Sequence, residues 1–143
     1  TVTEKYRILI IDDDEELRDL LALFVTRIGY ECFCAVDGKQ GLEIARQVRP
    51  DLILCDIFMP KLDGIGFLER LRANPEFADL PVIAISSTRD RDLVHKLVEL
   101  RISDYLIKPL ELEQTLTRLE RLIPTLLVER KIPLASRSTN APA

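Results

Sequence analysis

A chain of 143 residues, 47% hydrophobic and 31% charged, has the size and mix of one soluble globular domain with room for a sizeable core. Its formal net charge of −4 argues against non-specific nucleic-acid binding, which needs a basic face. No apolar run is long enough to span a bilayer and no leader pattern opens the chain, so a cytoplasmic, non-membrane protein is expected.

Residues 8–11 are all apolar and predict a strand buried on both faces, the mark of a parallel sheet covered by helices. The run goes straight into Asp12, Asp13 and Asp14. Crowded carboxylates repel unless a cation or a shared proton relieves them, and hard oxygens suit Mg²⁺. The same acids could instead cap the helix that follows. Leu17, Leu20, Leu21, Phe24, Val25 and Ile28 recur at helical spacing over residues 15–28, and Gly29 stops the run. Residues 32–36 predict a short strand and Asp37-Gly38 a turn. Leu42, Ile44, Ala45 and Val48 then mark a helix ended by Pro50.

A second buried strand, 52–55, ends in Asp56. An irregular loop over 57–63 leads to a helix over 65–72, broken by Asn74-Pro75-Glu76, with 77–80 as connecting loop. Residues 82–85 form a strand ending in Ser86 and Ser87, followed by a helix over 90–100. Residues 105–107 lead into Lys108 and Pro109, and a last helix covers 112–123. From Pro124 the chain turns polar and small-residue-rich towards Ala143, as in a linker or disordered tail. Strand and helix alternate five times, which implies right-handed crossovers and a parallel sheet. The C-terminal edge of such a sheet is where ligands bind. Here it carries an acid pair, an acid, a hydroxyl and an amine.

Cys32, Cys34 and Cys55 sit in apolar strand segments without metal-ligand spacing and read as reduced core thiols. His95 lies among Arg91, Asp92, Lys96 and Glu99 and reads as a surface residue.

Taken together, these residues resemble the receiver domain of two-component response regulators. The matching stretches are Ile10-Ile11-Asp12-Asp13-Asp14, Asp51 through Pro60 with Asp63-Gly64, Pro81 through Ser86, and Asp104-Tyr105-Leu106-Ile107-Lys108-Pro109. The resemblance covers residues 7–123. It implies an α/β, doubly wound, flavodoxin-like (βα)5 fold with a five-stranded parallel sheet in order 2-1-3-4-5. Residues 1–123 would be the receiver and 124–143 a C-terminal extension.

The resemblance also implies roles. Asp56 is the phospho-acceptor, a carboxylate nucleophile that forms an aspartyl phosphate. Mg²⁺, or Mn²⁺ in its place, is held by Asp13 directly, by Asp12 largely through water, by Asp56 and by the backbone carbonyl of Phe58. Lys108 faces Asp56 or a phosphoryl oxygen, with its bond to Pro109 cis. Ser86 gives the phosphoryl group a hydroxyl, and Ser86 with Tyr105 forms the switch. Asp14 falls outside the pair and serves the start of the helix.

The implied partners are a sensor histidine kinase or phosphotransfer protein, and a second copy through the face made by the 90–100 helix, the Tyr105 strand and the 112–123 helix. No enzyme activity is implied beyond the domain's own Mg-dependent phosphorylation and dephosphorylation. Direct nucleic-acid binding by this region is not expected. Arg101-Ile102 departs from the Gly-Ala often found there in receivers, so a different turn is expected at that point.

The rival reading is a haloacid-dehalogenase-like phosphatase using Asp12 and Asp14 with Ser86, Lys108 and Mg²⁺. Against it, Glu16 stands where that family carries Thr or Val, and no strand-end acid follows Lys108. An inert flavodoxin-like interaction module would leave the filled site positions unexplained.

Overall fold

A computed structural model describes residues 5–59 and 63–123. Five parallel strands stand in the order β2-β1-β3-β4-β5: β1 (Arg7–Ile11), β2 (Glu31–Ala35), β3 (Leu52–Asp56), β4 (Val82–Ser86) and β5 (Asp104–Ile107). Helices α1 (Glu15–Arg27), α2 (Gly38–Val48), α3 (Gly64–Ala73), α4 (Arg91–Glu99) and α5 (Leu112–Leu122) alternate with them. This is the doubly wound flavodoxin-like architecture expected from the sequence.

The central strands are buried because a strand between two helix layers has no solvent face. Successive side chains point to opposite faces. Leu9, Ile11, Ile53, Cys55, Val82 and Ala84 pack with Ala45, Phe67, Leu68 and Leu97 of α2, α3 and α4. Ile8, Ile10, Leu52, Leu54, Ile83 and Ile85 pack with Leu21, Val25 and Leu119 of α1 and α5. The strand register pairs Ile11 with Cys55, Asp56 with Ile85, and Ser86 with Ile107. One edge of the sheet therefore receives all the chemistry-bearing strand ends.

Several local boundaries differ from the sequence reading. Asp37-Gly38 is a helix start instead of a free turn: the Asp37 carboxylate accepts from Gln40 N at 2.8 Å, and Gly38 opens α2. The second strand lies one residue earlier than predicted, because its pairing with β1 begins at Arg7↔Glu31. The expected loop over 77–80 starts inside a 3-10 turn, Pro75–Phe77, whose Phe77 is buried. Cys32 and Cys34 are half-buried on the edge strand, and only Cys55 is a core thiol.

At the Gly-Ala departure, Arg101 adopts φ 60, the left-handed region. Its turn is held from α3 by the Arg72 guanidinium. Arg72 donates to Leu100 O at 2.9 Å, Arg101 O at 2.9 Å, and Phe77 O and Leu80 O at 2.8 Å each. The expected C-terminal extension, 124–143, lies outside the described residues. Among the described residues, no helix is long and apolar enough to cross a membrane.

Candidate functional site

Each site residue is placed by the strand before it. Asp12 follows β1, its backbone N–H donating to Ala35 O at 3.1 Å, and only 1% of it is exposed. Its Oδ1 accepts from Asp14 N at 2.9 Å. Its Oδ2 is buried without a hydrogen-bond partner among the described residues. Asp56 ends β3 with 4% exposed, and its Oδ1 accepts from Phe58 N at 3.4 Å. Lys108, just after β5, has its Nζ 3.5 Å from Asp56 Oδ2 and 3.9 Å from Asp12 Oδ2. Its own backbone N–H donates to Ser86 O at 2.9 Å, and the Lys108–Pro109 peptide is cis.

Asp12, exposed Asp13 and Asp56 each offer a carboxylate oxygen within 4.8 Å of the others. Three acids against one ammonium leave the pocket short of positive charge. Burial, and then the neighbouring Asp12, push the Asp56 carboxyl up to about 6, with Lys108 pulling the other way. Burial also raises Asp12, against the Asp14 N–H and Lys108, which favour its charged form. Carboxylates crowded in this way are relieved by a cation or by a shared proton. Hard oxygen donors match Mg²⁺, and Asp12 Oδ2, which accepts no hydrogen bond and has Lys108 Nζ only at 3.9 Å, is an atom such an ion would satisfy. Asp12, Asp13 and Asp56 therefore fit a divalent cation.

Ser86 ends β4 buried, its Oγ accepting from Thr88 N at 3.2 Å. A hydroxyl that accepts there still has a proton to give. Tyr105 is half-buried on β5, and its hydroxyl donates to Thr88 O at 2.6 Å. Thr88 thus joins Ser86 to Tyr105 through one peptide unit on either side of its Cα. Phe58 is 58% exposed. His95 is exposed on α4.

Asp14 is elsewhere engaged. Its Oδ1 accepts from Glu16 N at 3.0 Å and Leu17 N at 3.4 Å, capping α1. The phosphatase rival needs Asp14 as a second acid in the pocket, and it is spent on the helix instead.

The sequence reading missed Arg18, whose Nη1 donates to Asp12 O at 2.8 Å and ties α1 to the acid end of β1. It also missed Thr88 as the link between Ser86 and Tyr105. An arginine on an amphipathic helix carries no signal that separates an anchored side chain from a solvated one.

With this geometry in hand, likeness to known proteins is informative. The sequence profile of the response regulator receiver domain matches residues 8–120. The DNA-binding dual master transcriptional regulator RpaA of Synechocystis is 38% identical over 117 residues, which span 82% of this chain and 48% of that protein. The probable chemotaxis protein CheY of Rhizobium etli is 35% identical over 121 residues, 84% of this chain and 94% of that one. The receiver domain of a Pseudomonas aeruginosa sensor histidine kinase, solved with magnesium coordinated in its active-site cleft, aligns with TM-score 0.77 at 26% identity. That alignment covers 83% of this chain and 98% of the domain. The chain spans about half the length of the transcriptional regulators it matches, 48% of RpaA and 54% of a ycf27 regulator.

Proposed function

The chain belongs to the response regulator receiver family, and we propose that it is a phosphorylation-controlled switch whose phospho-acceptor is Asp56. The observation that carries this reading is the Asp56 carboxylate, at a strand end, with Lys108 Nζ at 3.5 Å and the Asp12–Asp13 pair beside it.

The phosphoryl donor is the phosphohistidine of a sensor kinase or phosphotransfer protein. An Asp56 oxygen attacks phosphorus while the bond to the donor nitrogen breaks, so an acyl phosphate forms. Lys108 sits where its ammonium can meet the transferred group's oxygens as a compact point charge. Ser86 offers its hydroxyl to another of them. Asp12, Asp13, Asp56 and the backbone carbonyl of Phe58 would hold Mg²⁺, for which Mn²⁺ can substitute. The bound ion supplies charge neutralisation for the acids and the incoming phosphoryl group. The domain promotes its own phosphorylation and dephosphorylation and turns over no separate substrate.

Output follows from Thr88. When Ser86 moves to the phosphoryl group, its hold on Thr88 N changes, and the Thr88 carbonyl that anchors Tyr105 moves with it. A pair of this kind converts a local charge change into a repacked face. That face is α4, β5 and α5, whose charged residues suit a polar partner or a second copy, and it needs no nucleic-acid contact of its own. The protein works in the cytoplasm.

Incubation with Mg²⁺ and acetyl phosphate tests the reading. One phosphoryl group per chain, with new amide-exchange rates in α4, β5 and α5, is expected. Multiple-turnover phosphate release from varied phosphoesters would point to the phosphatase instead, and exchange changes confined to α2 would sink the output route.

A further inference from the structure

β2 is an edge strand of the sheet, hydrogen-bonded among the described residues to β1 alone. Cys32 and Cys34 are two residues apart on it, so their side chains share one face, the one packed with α1. Their sulfurs lie 4.0 Å apart, close enough for one thiol to donate to the other. Both are half-buried, whereas Cys55 is sealed in the core. On α1, the Arg18 guanidinium is pinned by its bond to Asp12 O and adds positive potential at Cys34, opposed by Asp19.

A thiol that is partly exposed, electropositive in its surroundings and next to a second thiol has the makings of a redox site. We propose that Cys34 is an oxidation site for hydroperoxides and that Cys32 is its resolving thiol. The contact with Cys32, and then Arg18, hold Cys34 down at about 7 despite its burial, while the same pairing pushes the Cys32 thiol up. Cys34 is therefore the readier thiolate of the two, and the Cys32 thiol has Phe33 O as an acceptor at 3.8 Å.

The Cys34 thiolate attacks one peroxide oxygen and the O–O bond breaks. The departing hydroxide takes up a proton as water, leaving Cys34 a sulfenic acid. The Cys32 sulfur then attacks the Cys34 sulfur, and the expelled hydroxide leaves as water with the Cys32 proton. In sum, two thiols and one hydrogen peroxide give one disulfide and two waters. Residues two apart on a strand have Cα atoms about 6.6 Å apart, at the upper end of what a disulfide spans. Such a bond is readily reduced, so the modification is reversible.

The test uses the full chain, one equivalent of hydrogen peroxide at pH 7, and peptide mass mapping. The expected product is a Cys32–Cys34 disulfide within one chain, reversed by a thiol reductant, with Cys55 unmodified. Cys32→Ser should stop at a Cys34 sulfenic acid that a 1,3-dione traps. Arg18→Met should slow the reaction about twofold at pH 7. Raising a thiol from about 7 by roughly one unit costs about fivefold in thiolate at pH 7, and greater nucleophilicity returns about threefold.

Alkylation of wild-type Cys34 by iodoacetamide, followed against pH, needs no variant and should reach half its maximum near pH 7. A half-maximum near the ordinary thiol value of about 8.5, first oxidation at Cys32 or Cys55, or a disulfide formed only between copies would each overturn the proposal.

Discussion

Replacing Asp56 with Asn should stabilise the metal-free protein, and the gain should depend on pH. Burial and the Asp12 carboxylate move Asp56 from 3.8 to about 6. An acid raised on folding binds its proton more tightly in the native state than in the unfolded one. Stability then falls as pH rises between the two values, and the full penalty is present above the higher one. By linkage the penalty is about 1 kcal/mol at pH 4.5 and about 3 kcal/mol at pH 7.5. Asn keeps an oxygen for the Phe58 N–H, and the pull of Lys108 is already contained in the raised value of Asp56, so no separate ion-pair loss is subtracted. Asp56→Asn should therefore gain about 3 kcal/mol at pH 7.5 and only about 1 kcal/mol at pH 4.5. Urea unfolding followed by circular dichroism, with EDTA present, measures both. Mg²⁺ at ten times its Kd should restore about 1.4 kcal/mol to the wild type and much less to the variant. If Asp56→Asn is no more stable than wild type at pH 7.5, or gains equally at both pH values, the crowded-carboxylate account is wrong.

Four further outcomes are expected. Removing Asp13 should weaken Mg²⁺ binding more than removing Asp12, and equal affinities for wild type and Asp13→Ala by titration calorimetry would contradict the direct-ligand role. Arg101→Gly should raise stability by about 1 kcal/mol, since Gly adopts φ 60 without a Cβ penalty; denaturant midpoints report it. Arg72→Met should cost about 2–3 kcal/mol, because the carbonyls of Phe77, Leu80, Leu100 and Arg101 lose a shared charged donor. Gly64→Ala should cost about 1–3 kcal/mol and slow phosphorylation. Its Cβ would lie 2.7 Å from Ile57 Cα and 2.9 Å from Asp56 O, and these backbone atoms can move only by shifting Asp56.

The strand ends were the most legible part of the chain. Asp12, Asp56 and Ser86 each stand at the end of an apolar run too hydrophobic to be anything but buried, so the run itself locates the residue at the sheet edge, while Lys108 follows a shorter and only partly buried run. Asp14 as a helix cap was legible for the same local reason. The strand order came from family resemblance, because residue periodicity says which segments are strands but not which are neighbours. Arg18, Arg72 and the Thr88 carbonyl were not legible. Their partners are backbone atoms brought near by folding: Arg72 reaches Leu100, 28 residues on. Backbone acceptors have no residue type to leave in a sequence. Phe77 was read as loop because Asn74-Pro75 ends a helix correctly, yet its burial depends on the α3 side of the core, which local turn chemistry cannot report.

The central claim is that a phosphoryl group is carried on the Asp56 carboxylate, and borohydride trapping tests it most directly. Borohydride reduces an acyl phosphate to an alcohol and leaves free carboxylates untouched. The protein is incubated with Mg²⁺ and acetyl phosphate, quenched with borohydride, digested and sequenced by mass. Homoserine at position 56, dependent on Mg²⁺ and on the phosphodonor, is the predicted result, with Asp12, Asp13 and Asp14 unchanged. Reduction at any of those three instead, or an unmodified Asp56 after phosphoryl transfer has been detected, would contradict the account.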